Sequence, residues 1–238
     1  PHSEAPGVGG DGEGSVSISL SYDDDLSRVQ ISLSGLSVDA VRVERSTNEL
    51  FWETVRGGVA LPVSDGVAAL DDYEFPPNVQ TFYRVLDAED PGAGAVESDD
   101  ITPQFDDCEV WLKSIRYPLL NQRVEVYDYS ELNRPGRTGV HEVSGRSFPV
   151  ATTDVNTSLR WEITFHTETA EQGRKLDLAL ALGDVLFLHI PPDVNPRLPP
   201  RSMYVVTMST STARLGIQER RVQTVPLVEV AAPSPLVV

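Results

Sequence analysis

Three histidines, His141, His166 and His189, are the residues best suited to hold a metal or move a proton, with Asp154 or Asp184 as partners. Their spacing does not fit either task. There is no H-E-x-x-H and no close His pair, and His166 falls on the polar face of its segment. The acidic runs Asp23-Asp24-Asp25, Asp71-Asp72 and Asp99-Asp100 offer hard oxygen ligands for Ca²⁺. They lack the glycine and terminal glutamate of an EF-hand, so solvated loops are the simpler reading and a calcium clasp at a loop tip the alternative. "VSGRS" is not the G-x-S-x-G elbow of a serine hydrolase. A glycosidase pair is defined by distance, and a chain with 36 Asp and Glu has many chance pairs. The lone Cys108 stands beside two aspartates, which raise a thiol pKa and deactivate it. No catalytic, cofactor-binding or metal-ligating set emerges, so the expectation is a protein that is not an enzyme and carries no cofactor. Trp52, Tyr73 and Phe75, in or near loops, are candidate glycan contacts.

The elements that must carry these residues fall into two halves. Residues 1–104 hold 5 Lys/Arg against 20 Asp/Glu, and residues 105–238 hold 14 against 16. Most of the net charge of −17 is therefore in the first half. Such a chain repels nucleic acid and anionic membranes, so direct binding to either is not expected. The seam is "DAEDPGAGAVESDDITPQFDD", which places a boundary near Gln104. Residues 1–14 are glycine-rich and acidic without a core pattern, and are expected to be flexible. They have neither a basic nor an apolar signal region, and no apolar run approaches the ~18 residues of a membrane span. Synthesis in a cytosol is the expectation.

The first half, 15–104, alternates with period two. "SVSISLSY", "RVQISLSG" and "AVRVERS" are followed by short strand candidates separated by turn signals such as Asp65-Gly66 and Pro76-Pro77-Asn78. That pattern predicts a β-sandwich. In the second half, 105–238, "LRWEITFHTET" is a half-buried strand. "TAEQGRKLDLALALGD" then changes period. Thr169 and Gln172 form a capping box, Leu176, Ala179 and Leu180 share one face that Leu178 and Leu182 widen, and Gly183 stops the helix, at about residues 169–182. "DVLFLHI" is apolar at both parities, as in a strand covered on both faces. The prediction is a mainly β chain: a sandwich, then an antiparallel β domain with one helix.

Two resemblances add to this. "VRVERSTNELFWETV" is similar to the central strands of a fibronectin type III domain. "FPPNVQTFYRVLDA" is similar to that family's E–F corner, with Tyr83 near the start of strand F. The likeness covers roughly residues 15–102. It departs in its tryptophan: Trp52 comes later than the family's core residue, which places it at an edge. The second half combines "EVWLKSIRYPLLNQRVEV", "SGRSFPV", "GDVLFLHIPP" and "ERRVQTVPLVEVAAPSP" in that order. Together these resemble the C-terminal domain of minor tail proteins from long-tailed phages of actinobacteria. The residues that carry the likeness include Trp111, Pro118, Leu119, Asn121, Gly145, Arg146, Pro149, Gly183, Arg221, Pro226 and Glu229.

The second resemblance implies a tail-tube-like barrel in a virion part at the tail tip or baseplate, made in the host cytoplasm. It would assemble with other tail proteins and with itself, as a trimeric or hexameric ring. Arginine binds carboxylates in two-pronged fashion, so Arg116, Arg123, Arg134, Arg137, Arg146, Arg220 and Arg221 are the expected interface residues against an acidic neighbour. The other reading is a receptor- or glycan-binding module, on the tail tip or a cell surface, that contacts host cell-wall glycan.

Overall fold

A computed structural model describes residues 16–92, 96–97, 100–106, 109–136, 138–153, 158–192, 199, 201–209, 211–214 and 220–236. The N-terminal segment, Asp99, Cys108, Arg137 and Asp154 lie outside the described residues.

The first half contributes β1 (Ser17–Asp23), β2 (Arg28–Ser34), β3 (Ala40–Ser46), β4 (Glu53–Thr54), β5 (Leu61–Pro62), β6 (Ala68–Asp72), β7 (Phe82–Asp87) and β8 (Val96–Glu97). One sheet runs β1-β2-β6. The other runs β4-β3-β7-β8, with β5 also on β3, and every pairing is antiparallel. The alternation explains the sandwich. Val29, Ile31 and Leu33 from one sheet meet Val41, Val43 and Val85 from the other, and Ile18, Leu20 and Tyr22 of the edge strand close over them. The result is a two-sheet β-sandwich, as the period-two pattern predicts. Tyr83 is fully buried on β7 and donates its hydroxyl to Asp72 of β6 at 3.0 Å, tying the two sheets together.

The second half contributes β9 (Val110–Ser114), β10 (Gln122–Tyr129), β11 (Thr138–His141), β12 (Val150–Thr153), β13 (Arg160–Thr167), α1 (Ala170–Ala181), β14 (Leu186–His189), β15 (Met203–Thr207), β16 (Ser211–Arg214) and β17 (Arg221–Glu229). Six of these strands close into an antiparallel barrel in the order β13-β10-β9-β14-β15-β17, with β17 returning to β13 and β16 as an outer flap on β17. A barrel of this size is filled by side chains. Leu112, Ile163, Phe165, Leu188, Val205, Val225 and Leu227 fill it, and Leu176 and Leu180 of α1 pack against them.

The helix is built as its sequence predicts. The Thr169 side chain accepts from the Gln172 amide, and the Gln172 side chain accepts from the Thr169 amide. Gly183 follows in the left-handed region at φ +68°. One expectation fails. Leu178 and Leu182 do not widen the buried face; they are exposed, because only Gly173, Leu176, Ala179 and Leu180 turn toward the barrel. Among the described residues, no helix is long and apolar enough to cross a membrane.

Candidate functional site

Strand β9 is buried along its whole length, and the reason lies in its alternation. Val110 and Leu112 face into the barrel, while Trp111 and Lys113 face the sandwich. Its neighbour β14 repeats this: Leu186 and Leu188 point in, Phe187 and His189 point out. The next strand places Tyr204 on the same outer face. This outer face meets one end of the sandwich, and the two halves share a buried seam. Phe75, fully buried, packs edge-on against Phe105 and His189, with ring centroids 5.9 and 4.9 Å away. Phe105 and Trp111, on the barrel side of the predicted boundary, both complete the sandwich core.

Most polar groups of the seam are matched, the buried His189 Nδ1 and Ser27 Oγ being left without a hydrogen-bond partner among the described residues. Lys113, 1% exposed, donates to the carbonyls of Ser27 at 2.6 Å and Tyr73 at 2.8 Å, and its ammonium lies 4.8 Å from the Phe75 ring. Burial holds its pKa well below the usual lysine value, against the pull of Asp72 and Glu74. His189 donates from Nε2 to the Phe75 carbonyl at 2.7 Å, which sets its tautomer. Burial, and next the nearby Lys113, push its pKa well below the ordinary histidine value, so the imidazole is neutral. Glu74 accepts from Arg56 at 2.7 Å and from the Tyr204 hydroxyl at 2.9 Å. Arg56 also donates to the carbonyls of Ser234 and Pro233, so the C-terminal segment straps back onto the sandwich. A cleft of about 240 Å³ opens here between Arg56, Tyr73, Glu74, Lys113 and Phe187. These charged groups are already paired, and the arrangement is that of a structural joint.

Asp23, Asp71 and Asp72 are put to similar use, which corrects the solvated-loop reading for these three, while Asp24, Asp25 and Asp100 are exposed as that reading expects. Asp72 is buried and accepts from Arg45 Nη1 at 2.6 and 2.7 Å, from Tyr83 and from the Glu74 amide. Asp23 and Asp71 both pair with Arg28. Among the described residues, no group of three His, Cys, Asp or Glu is placed to hold a metal ion. The histidines are far apart in role. His141 is exposed on β11, His166 bonds Glu125 at 2.7 Å on the barrel exterior, and His189 is in the seam.

The three candidate glycan contacts are dispersed. Phe75 is in the core and meets no solvent, which removes it from any such surface. Tyr73 lines the seam cleft. Trp52 is at the sandwich edge as expected, its ring beneath the Arg84 guanidinium at 4.2 Å and its indole N–H donating to the Glu49 carbonyl. With exposed Phe51 it lines a cleft of about 290 Å³ together with Arg45, Asn48 and Glu53.

The candidate arginines are scattered too. Arg116 lies 3.6 Å from Asp184, Arg123 lies 3.8 Å from Asp106, and Arg134 lies 4.0 Å from Glu229. Arg220 is exposed, and Arg221 is half-buried against Gly173 of the helix. Arg146 is exposed at the tip of the β11–β12 hairpin.

That hairpin is the feature sequence reading underestimated. Among the described residues its two strands pair only with each other, from Thr138↔Thr153 to His141↔Val150. Gly145 makes its turn at φ +86°. Val140, Val143, Phe148 and Val150 are all exposed, Phe148 to 82%. A second apolar surface is a groove of about 640 Å³ between the 3-10 turn Pro118–Leu120 and α1, lined by Tyr117, Leu119, Leu120, Leu178 and Leu182. No protein-family model matches this chain, and no curated protein is similar to it.

Proposed function

We propose that this chain is a structural virion component of a long-tailed bacteriophage, a minor tail protein of the tail tip or baseplate that assembles with itself and with other tail proteins. One observation carries the reading. A side-chain-filled barrel packed on a sandwich holds out an arm whose apolar residues are exposed, with no partner among the described residues. Monomeric proteins rarely leave such a surface uncovered. The buried ionisable groups support the same reading, because Lys113, His189 and Asp72 are each held by hydrogen bonds that join strands or the two halves. The sequence resemblance of the second half supplies the tail context. Immunogold labelling of particles of the phage encoding the chain tests this: label at the tail tip is expected, and label on heads or on no particle contradicts it.

A second reading, a receptor- or glycan-binding module on the tail tip or a cell surface, is favoured by the Phe51–Trp52 cleft alone. It requires the purified protein to bind host cell-wall polysaccharide and Trp52→Ala to abolish that binding.

A further inference from the structure

The arm and the groove sit at opposite ends of the barrel, and the topology shows why. Strand β10 begins beside the Pro118–Leu120 turn and ends at Tyr129, from which the chain runs out to the arm. Strand β13 pairs antiparallel with β10 and carries the chain back, ending at Thr167 just before α1. The helix reaches the same end as the turn, where Lys175 donates to the Asn121 carbonyl at 2.7 Å. The 8 residues of β10 therefore separate groove from arm, a distance of roughly 26 Å at ordinary strand rise.

We infer that the arm of one copy seats in the groove of the next, with Phe148 as the inserted side chain. This rests on the self-assembly reading above and names its contact. Each surface lacks what the other supplies. A two-stranded ribbon is marginal in water without a surface to pack on, and the groove is an uncovered apolar floor with Leu119 81% exposed. The charges match as well. The groove rim carries Arg116 beside Asp184, and the arm tip carries Glu142 and Arg146, so an acid and a base meet a base and an acid. Because the two patches differ and lie at opposite ends, the contact is head-to-tail. It does not stop at a dimer; it closes into a ring or runs on as a filament.

Sedimentation of the full chain at low salt over a range of concentrations tests this. The wild type is expected to form species larger than a dimer. Phe148→Glu alone and Leu119→Glu alone are each expected to stay monomeric, with thermal midpoints unchanged because both positions are exposed. An equimolar mixture of the two is expected to give a dimer and nothing larger, since one intact arm and one intact groove remain. If the wild type assembles and both variants assemble equally well, or if the mixture stays monomeric, the arm-in-groove contact is overturned while self-assembly stands. A wild type that stays monomeric throughout overturns the contact and self-assembly together, and leaves the groove to a different protein.

Discussion

Asp72 shows how this acidic chain spends its carboxylates. It is buried at the meeting point of both sandwich sheets and satisfied by Arg45, Tyr83 and a backbone amide. Removing one partner of such a pair strands the other charge away from water. Asp72→Ala should cost about 3–5 kcal/mol of stability, read as a lower urea midpoint. His189 makes a different commitment. Its native pKa lies below the unfolded value of 6.5. As pH falls through 6.5, the unfolded chain takes up a proton that the native imidazole refuses, so stability is full above that pH and declines below it. The decline is at most about 1.4 kcal/mol per pH unit. His189→Gln should flatten this acid limb when urea midpoints are compared at pH 7.5 and 5.5; an unchanged limb contradicts the assignment. Neither role was legible in the sequence. Asp72 reads as one more acid in a run, and its partners Arg45 and Tyr83 are brought to it by strand pairing. Phe75 was misread for a related reason: its loop is covered by a strand more than a hundred residues away, and nothing local signals that cover.

At the scale of elements, what was legible is what local physics decides. The capping box, the left-handed glycine stop and the period-two strands need only neighbouring residues, and they form where the pattern places them. Burial of a helix face depends on what lies opposite, and there the pattern misleads. Leu176 and Leu178 look alike in sequence, yet one is buried under the barrel and the other is open. Leu176→Ala should therefore cost about 2–5 kcal/mol. Leu178→Ala should change stability by no more than about 0.5 kcal/mol. Equal losses in thermal unfolding would place the helix differently. The hairpin is the second case. Ser144-Gly145 turns the chain and Pro149 precedes the strand β12. The exposure of Phe148 and Val140 appears only once the ribbon is seen to pair with no other strand among the described residues.

At the scale of the whole molecule, two halves that differ in charge behave as one body. Strands β9 and β14 each present one face to the barrel and the other to the sandwich, which is why "LFLH" is apolar at both parities. The seam thus packs the sandwich against the barrel, while the arm and groove stay exposed. On the proposed reading of a phage tail protein, the measurement that tests this account most directly is a cryo-electron microscopy map of the encoding phage's tail tip. The account predicts a ring of copies at the tip, with each barrel's 138–153 ribbon packed on the adjacent chain. A map in which the chain is absent from the tail, or present with that ribbon free in solvent, contradicts it.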